Sequence, residues 1–154
     1  MYYIFDKLYF SSISKTLLLT FLIAITLIAC SKAEVVDELT FQKQLIGGTG
    51  SYQNTKKIWK LDSLAIDGKP FALTTNQKKY TKSFSFDGAY IDSDGFAGTW
   101  TLPNINELSH TTIATVSGTK MTSSYQIVEV NAAQLNLKLI NTAAKYEYFF
   151  VIGN

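Results

Sequence analysis

From Ile58 to its end, the chain repeats one grammar: short runs of alternating apolar and polar residues, broken by turn residues. A period of two belongs to a strand with one buried face, and breaks about every eight to twelve positions belong to a sandwich or a barrel. Trp59, Leu61 and Ser63 alternate with Lys60 and Asp62, and a longer connection over 67–79 follows. Tyr80, Phe84 and Phe86 then alternate with Thr81, Ser83 and Ser85. Asp87-Gly88 is a strong hairpin signal, and residues 89–92 return from it. Ser93-Asp94-Gly95 turns into Gly98-Thr99-Trp100-Thr101-Leu102, which Pro103-Asn104-Ile105-Asn106 ends. Residues 108–116 and 121–130 make two more runs, the second with Tyr125 and Ile127 on one face. Leu135, Leu137 and Leu139 mark the next run, and Tyr146, Tyr148 and Phe150 the last, for eight strands in all.

Short links make sequential strands neighbours, so the strands form an antiparallel meander. Eight of them, each with one apolar face, close into a small barrel and lose their exposed edges. A two-sheet sandwich is the rival, but it needs long crossovers, and only 67–79 is long enough for one. The predicted fold is therefore all-β, an eight-stranded up-and-down barrel over 52–154. Trp59-Lys60-Leu61, Phe86-Asp87-Gly88, Gly98-Thr99-Trp100 and Leu135-Asn136-Leu137, in that order, resemble the lipocalin-like domains of Gram-negative lipoproteins. The resemblance implies a lipocalin-like barrel in an envelope lipoprotein.

The first thirty residues are of another kind. Residues 16–29 are uncharged and mostly apolar, with Lys7 and Lys15 before them. The run is shorter than the roughly 20 residues needed to span a bilayer and suits a signal-peptide helix over 1–29. Leu27-Ile28-Ala29-Cys30 resembles the bacterial lipoprotein signal: an aliphatic residue, a tolerant position, a small residue and the cysteine that carries lipid. The resemblance implies cleavage before Cys30, diacylglycerol on its sulfur and an acylated amino terminus, hence attachment to a membrane. Ser31, where an aspartate would retain the protein at the inner membrane in enteric bacteria, favours the outer membrane. Residues 30–51 read as a tether carrying Glu34, Asp37 and Glu38. Within it Val35, Leu39 and Ile46 share the face of a short helix stopped by Gly47-Gly48.

Chemistry is sparse. Cys30 is the single cysteine, so no intramolecular disulfide forms. The net charge is +2 and no arginine is present, which disfavours nucleic acid as a partner. Gly47-Gly48-Thr49-Gly50 lacks the Lys-Ser or Lys-Thr pair of a phosphate loop. Asp92-Ser93-Asp94-Gly95 resembles the start of a calcium loop, but the twelfth position is Pro103, so a hairpin turn is the better reading. His110 is the single histidine, and nothing marks a nucleophile or an orienting acid beside it. The expectation is no catalytic set, no metal site and no cofactor. Trp59, Phe84, Phe86, Trp100, Tyr125, Tyr146, Tyr148 and Phe150 are assigned to the inward face. They line a cavity for a small hydrophobic or glycan-like ligand, or else simply fill the core. Lys56, Lys57, Lys60, Lys69, Lys78, Lys79 and Lys82 crowd one region, either as a patch for anionic headgroups or as a solvated face.

Overall fold

The structure is a computed structural model and describes residues 36–51, 53, 55–113 and 118–153. The expected signal-peptide helix, Cys30 and the first part of the tether lie outside the described residues, as do residues 114–116 of the expected fifth strand. Among the described residues, no helix is long and apolar enough to cross a membrane.

Among the described residues, a short helix, α1 (Glu38–Gly47), precedes nine strands. They are β1 (Lys56–Ile66), β2 (Lys69–Phe71), β3 (Thr81–Ser85), β4 (Ala89–Asp92), β5 (Ala97–Asn104), β6 (Glu107–Ile113), β7 (Lys120–Val130), β8 (Gln134–Leu139) and β9 (Tyr146–Ile152). From β3 onward each strand pairs antiparallel with the next, and β1 pairs with both β3 and β9. The ring of β1 and β3 to β9 is thus a closed eight-stranded barrel. The meander reading holds, because each partner is the sequence neighbour and one pairing, β1 with β9, closes the ring.

The ninth strand corrects the expected long connection over 67–79. Asp67 and Gly68 both take positive φ (51° and 75°), the backbone of a tight hairpin turn. They fold β2 back onto β1, with Ile66 opposite Lys69 and Leu64 opposite Phe71. β2 pairs with β1 alone, and Pro70 is tolerated on such an edge because it has no N–H to offer. A 3₁₀ turn (Gln77–Lys79) leads on into β3.

A second correction concerns β1 itself. Its register against β9 slips between Leu61 and Ser63. The extra residue of a bulge inverts the alternation beyond it, so Leu64 is buried and Ser63 is exposed. The inward series is Trp59, Leu61 and Leu64, not Trp59, Leu61 and Ser63. A similar slip in β7 turns Val128 outward.

Helix α1 closes one end of the barrel. Asp37 caps its start, accepting from the Thr40 N–H at 2.9 Å, and the N–H of Gly48 closes its end on the Gln44 carbonyl. The helix meets the barrel with its C-terminal turn. Ile46 is fully buried while Leu39 stays exposed, so Leu39 does not share the buried face expected of it; Val35 lies outside the described residues. The indole N–H of Trp59 donates to the Ile46 carbonyl at 2.8 Å. Lys57 donates to the Leu45 carbonyl at 2.7 Å, where the helix dipole favours a cation. Gly47 must be small, since a Cβ there would lie 2.7 Å from the Trp100 ring. Gly98 must be small too: its Cβ would fall 1.9 Å from the Thr111 carbonyl oxygen, where β5 and β6 approach closely.

Beneath the helix the interior is solid. Trp59, Phe84, Trp100, Leu108, Leu135 and Phe150 are all buried, and the Phe84 and Trp100 rings meet edge to face at 5.3 Å. The Trp100 N–H donates to the Ser85 carbonyl at 2.8 Å. Replacing Trp59 by Phe keeps a ring in place but strands the Ile46 carbonyl without its donor. The expected loss is about 1–3 kcal/mol, read as a lower urea midpoint with an unchanged slope.

Candidate functional site

The other end of the barrel is open. A cavity of about 480 Å³ lies there, walled by Leu61, Leu64 and Ile66 of β1, Tyr146 and Tyr148 of β9, and Tyr125 of β7. The β2 hairpin and the turn after it add Phe71, Asn76, Gln77 and Tyr80 to the rim. The segment read from sequence as a mere connection therefore builds one wall of the mouth. A smaller cavity of about 190 Å³ lies alongside, bounded by Asp92, Phe96, His110, Thr112, Met121 and Ser123. Tyr80, Lys82 and Tyr125 face both.

Between the solid core and this mouth lies a polar layer. Lys82 is buried, only 5% exposed, and its ammonium donates to the Tyr90 hydroxyl at 2.9 Å. Tyr90 in turn donates to Oδ2 of Asp92 at 3.0 Å, and Tyr80 donates to the same oxygen at 3.2 Å. Lys82 Nζ also lies 3.3 Å from Nε2 of His110, and the Tyr125 hydroxyl lies 3.2 Å from that same nitrogen. An ammonium has no lone pair, so Nε2 accepts from it and the imidazole proton sits on Nδ1. Nδ1 is buried with no hydrogen-bond partner among the described residues. The His110 ring stacks on Tyr90 at 4.3 Å and on Tyr125 at 5.4 Å. Lys82 Nζ stands 5.1–5.5 Å from the ring centres of Tyr80, Tyr90 and Tyr125, a range in which ring faces attract a cation.

This environment moves the titration of the lysine, the histidine and the tyrosines of the layer. Burial pushes Lys82 down to about 8, against the opposing pull of Asp92 and Asp94. Burial, aided by the Lys82 charge, pushes His110 down to about 3. Burial raises Tyr125 to about 12 and raises Tyr80, Tyr90 and Tyr148 as well. The layer at neutral pH is a cation held among neutral rings, with one carboxylate reached through tyrosine hydroxyls.

The residues assigned from sequence separate into three places. Trp59, Phe84, Trp100 and Phe150 fill the closed end and touch neither cavity. Tyr125, Tyr146 and Tyr148 line the mouth. Phe86 is outside the barrel: β3 stops at Ser85, the chain turns, and the ring lies under Lys43 of α1 at 5.0 Å. The expected lysine patch also divides. Lys56, Lys60, Lys69, Lys78 and Lys79 are exposed, Lys57 caps the helix, and Lys82 is interior. The sequence did carry a signal for Lys82, since it shares strand parity with Tyr80 and Phe84. Grouping it by charge with its neighbours concealed that. Asp92, read as a turn residue, does hold the turn, its Oδ1 accepting from the N–H groups of Asp94 and Phe96. Its second oxygen serves the polar layer. Among the described residues no cluster of His, Cys, Asp and Glu is placed to hold a metal.

No protein-family model, curated protein or solved structure matches the chain. The site's own geometry carries the functional argument.

His110 makes stability depend on pH with a defined sign. Its folded pKa is lowered, so below about 6.5 the unfolded chain takes up a proton that the folded chain refuses. Unfolding free energy then falls with pH through the window from 6.5 towards 3. Between pH 6.5 and 5, this group accounts for a loss of roughly 1.5 kcal/mol. Replacing His110 by Gln is expected to flatten that part of a urea-denaturation pH profile.

Proposed function

We propose that this protein is a lipid-anchored, non-catalytic binding protein of the Gram-negative outer membrane, and that the barrel mouth receives a small, largely apolar ligand. The observation that carries the binding reading is the cavity of about 480 Å³, closed below by the polar layer and walled by aliphatic and tyrosine side chains. Its size falls in the range of small-molecule sites, and apolar walls with a few convergent polar groups are the usual composition of one. The tyrosine faces, with Asn76 and Gln77 at the rim, also suit a compact glycan. The anchor rests on Leu27-Ile28-Ala29-Cys30. A lipid-bearing Cys30 would tie the barrel to the membrane from which an apolar ligand comes.

A non-catalytic accessory protein of the envelope is the second reading. Exposed Ile91, Phe96, Ile113 and Met121 favour it, because exposed apolar side chains can mark a partner's footprint.

Titration with the uncharged fluorophore N-phenyl-1-naphthylamine separates the two readings. The binding reading expects saturable enhancement of its fluorescence. Leu64→Trp, which fills the cavity from its wall, should weaken binding by roughly tenfold or more, about 1.4 kcal/mol. No saturable binding to the wild-type chain would count against a ligand site. For the anchor, Cys30→Ser is expected to move the protein from the membrane fraction to the soluble fraction. Unchanged retention would overturn lipidation at Cys30.

A further inference from the structure

We infer that Lys82 is a covalent capture site, whose amine condenses with the carbonyl of an apolar aldehyde bound in the barrel mouth. The inference rests on the proposed reading of that mouth as a ligand site. Three features of the geometry point to it.

First, Lys82 is the one buried lysine among the described residues, and it faces both cavities at once. Its amine stands where the innermost end of a ligand would arrive. Second, it has no direct ion pair among the described residues; Asp92 is reached only through the Tyr90 hydroxyl. A lysine locked to a carboxylate is a poor nucleophile, whereas one in an apolar pocket is an activated one. Third, the neighbours suit an uncharged electrophile better than an anion. Asp92 borders the small cavity and Asp94 the large one, so an acidic head group would meet two carboxylates. A carbonyl meets no such repulsion.

The chemistry balances without an oxidant or reductant. The uncharged amine attacks the carbonyl carbon and the C–N bond forms. The two amine hydrogens pass to the carbonyl oxygen, which leaves as water when the C–O bond breaks, and a C=N bond remains. The Tyr90 hydroxyl, which accepts from Lys82 Nζ at 2.9 Å and donates to Asp92 at 3.0 Å, is placed to relay these protons. A protonated imine keeps its positive charge at the old ammonium position, among the faces of Tyr80, Tyr90 and Tyr125.

The groups facing Lys82 are Tyr80, Tyr90, Asp92, Asp94, His110 and Tyr125. Burial holds the amine near 8, so more of it is uncharged at neutral pH than of an exposed lysine.

The test uses the purified full chain, octanal as probe and sodium cyanoborohydride to trap the imine, followed by peptide mapping. Lys82 is expected to be labelled at least roughly tenfold faster than exposed Lys78 and Lys79 at pH 7. Its rate should level off above about pH 8. Leu64→Trp, which leaves Lys82 in place, should abolish the preference. Labelling of exposed lysines with Lys82 unmodified, in protein that still binds N-phenyl-1-naphthylamine, overturns the capture site and leaves the binding reading intact. Failure of both probes overturns the two together.

Discussion

The Trp59 indole N–H that donates to the Ile46 carbonyl joins the helix to the barrel, and the division of the molecule depends on it. The interior of an eight-stranded barrel is about wide enough for its own side chains. Two tryptophans, two phenylalanines and two leucines occupy that width at one end, and the helix terminus seals them. A buried carbonyl needs a donor, and Trp59 supplies one from within the core. Because the bulk is concentrated under the helix, little is left to fill the far end, and the cavity opens there.

The polar layer follows from the same geometry. Every second residue of a strand must point inward, and on β3, β4 and β6 those positions hold Lys82, Tyr90 and His110. A buried charge is costly unless it is hydrogen-bonded or paired. Here the cost is met by stacked rings, by hydroxyls and by Asp92 one hydroxyl away. The layer is at once the floor of the mouth and the place where reactive groups converge. The closed end provides packing, and the polar layer provides whatever specificity the mouth has.

Much of the fold was legible because it follows from parity and turns. Eight barrel strands, their order and their antiparallel sense came from alternation and from Asp-Gly and Ser-Asp-Gly breaks. The errors came where local rules are overridden. The bulge after Leu61 exchanges Ser63 for Leu64, and only the pairing with β9 reveals it. Phe86 continues the parity of Phe84 on paper, but β3 ends one residue earlier. Asp67-Gly68 carries the same hairpin signal as Asp87-Gly88, yet Pro70 and the polar stretch after it made the segment read as a connection. Lys82 reads by its charge with the exposed lysines, although its strand parity with Phe84 is that of an inward position.

By itself the sequence determined the class of fold and the helix stop at Gly47-Gly48, and it carries a run, Leu27-Ile28-Ala29-Cys30, that resembles the lipoprotein signal. Those are local matters: residue period, turn chemistry and a short motif. Only the tertiary structure decided which aromatics fill and which line, and that Lys82, Asp92 and His110 share one layer. The physical reason is that strands staggered around a closed barrel bring together residues far apart in the chain, such as Lys82 and His110, 28 positions distant. Strand stagger and bulges set that meeting, and neither is written in any single run of residues.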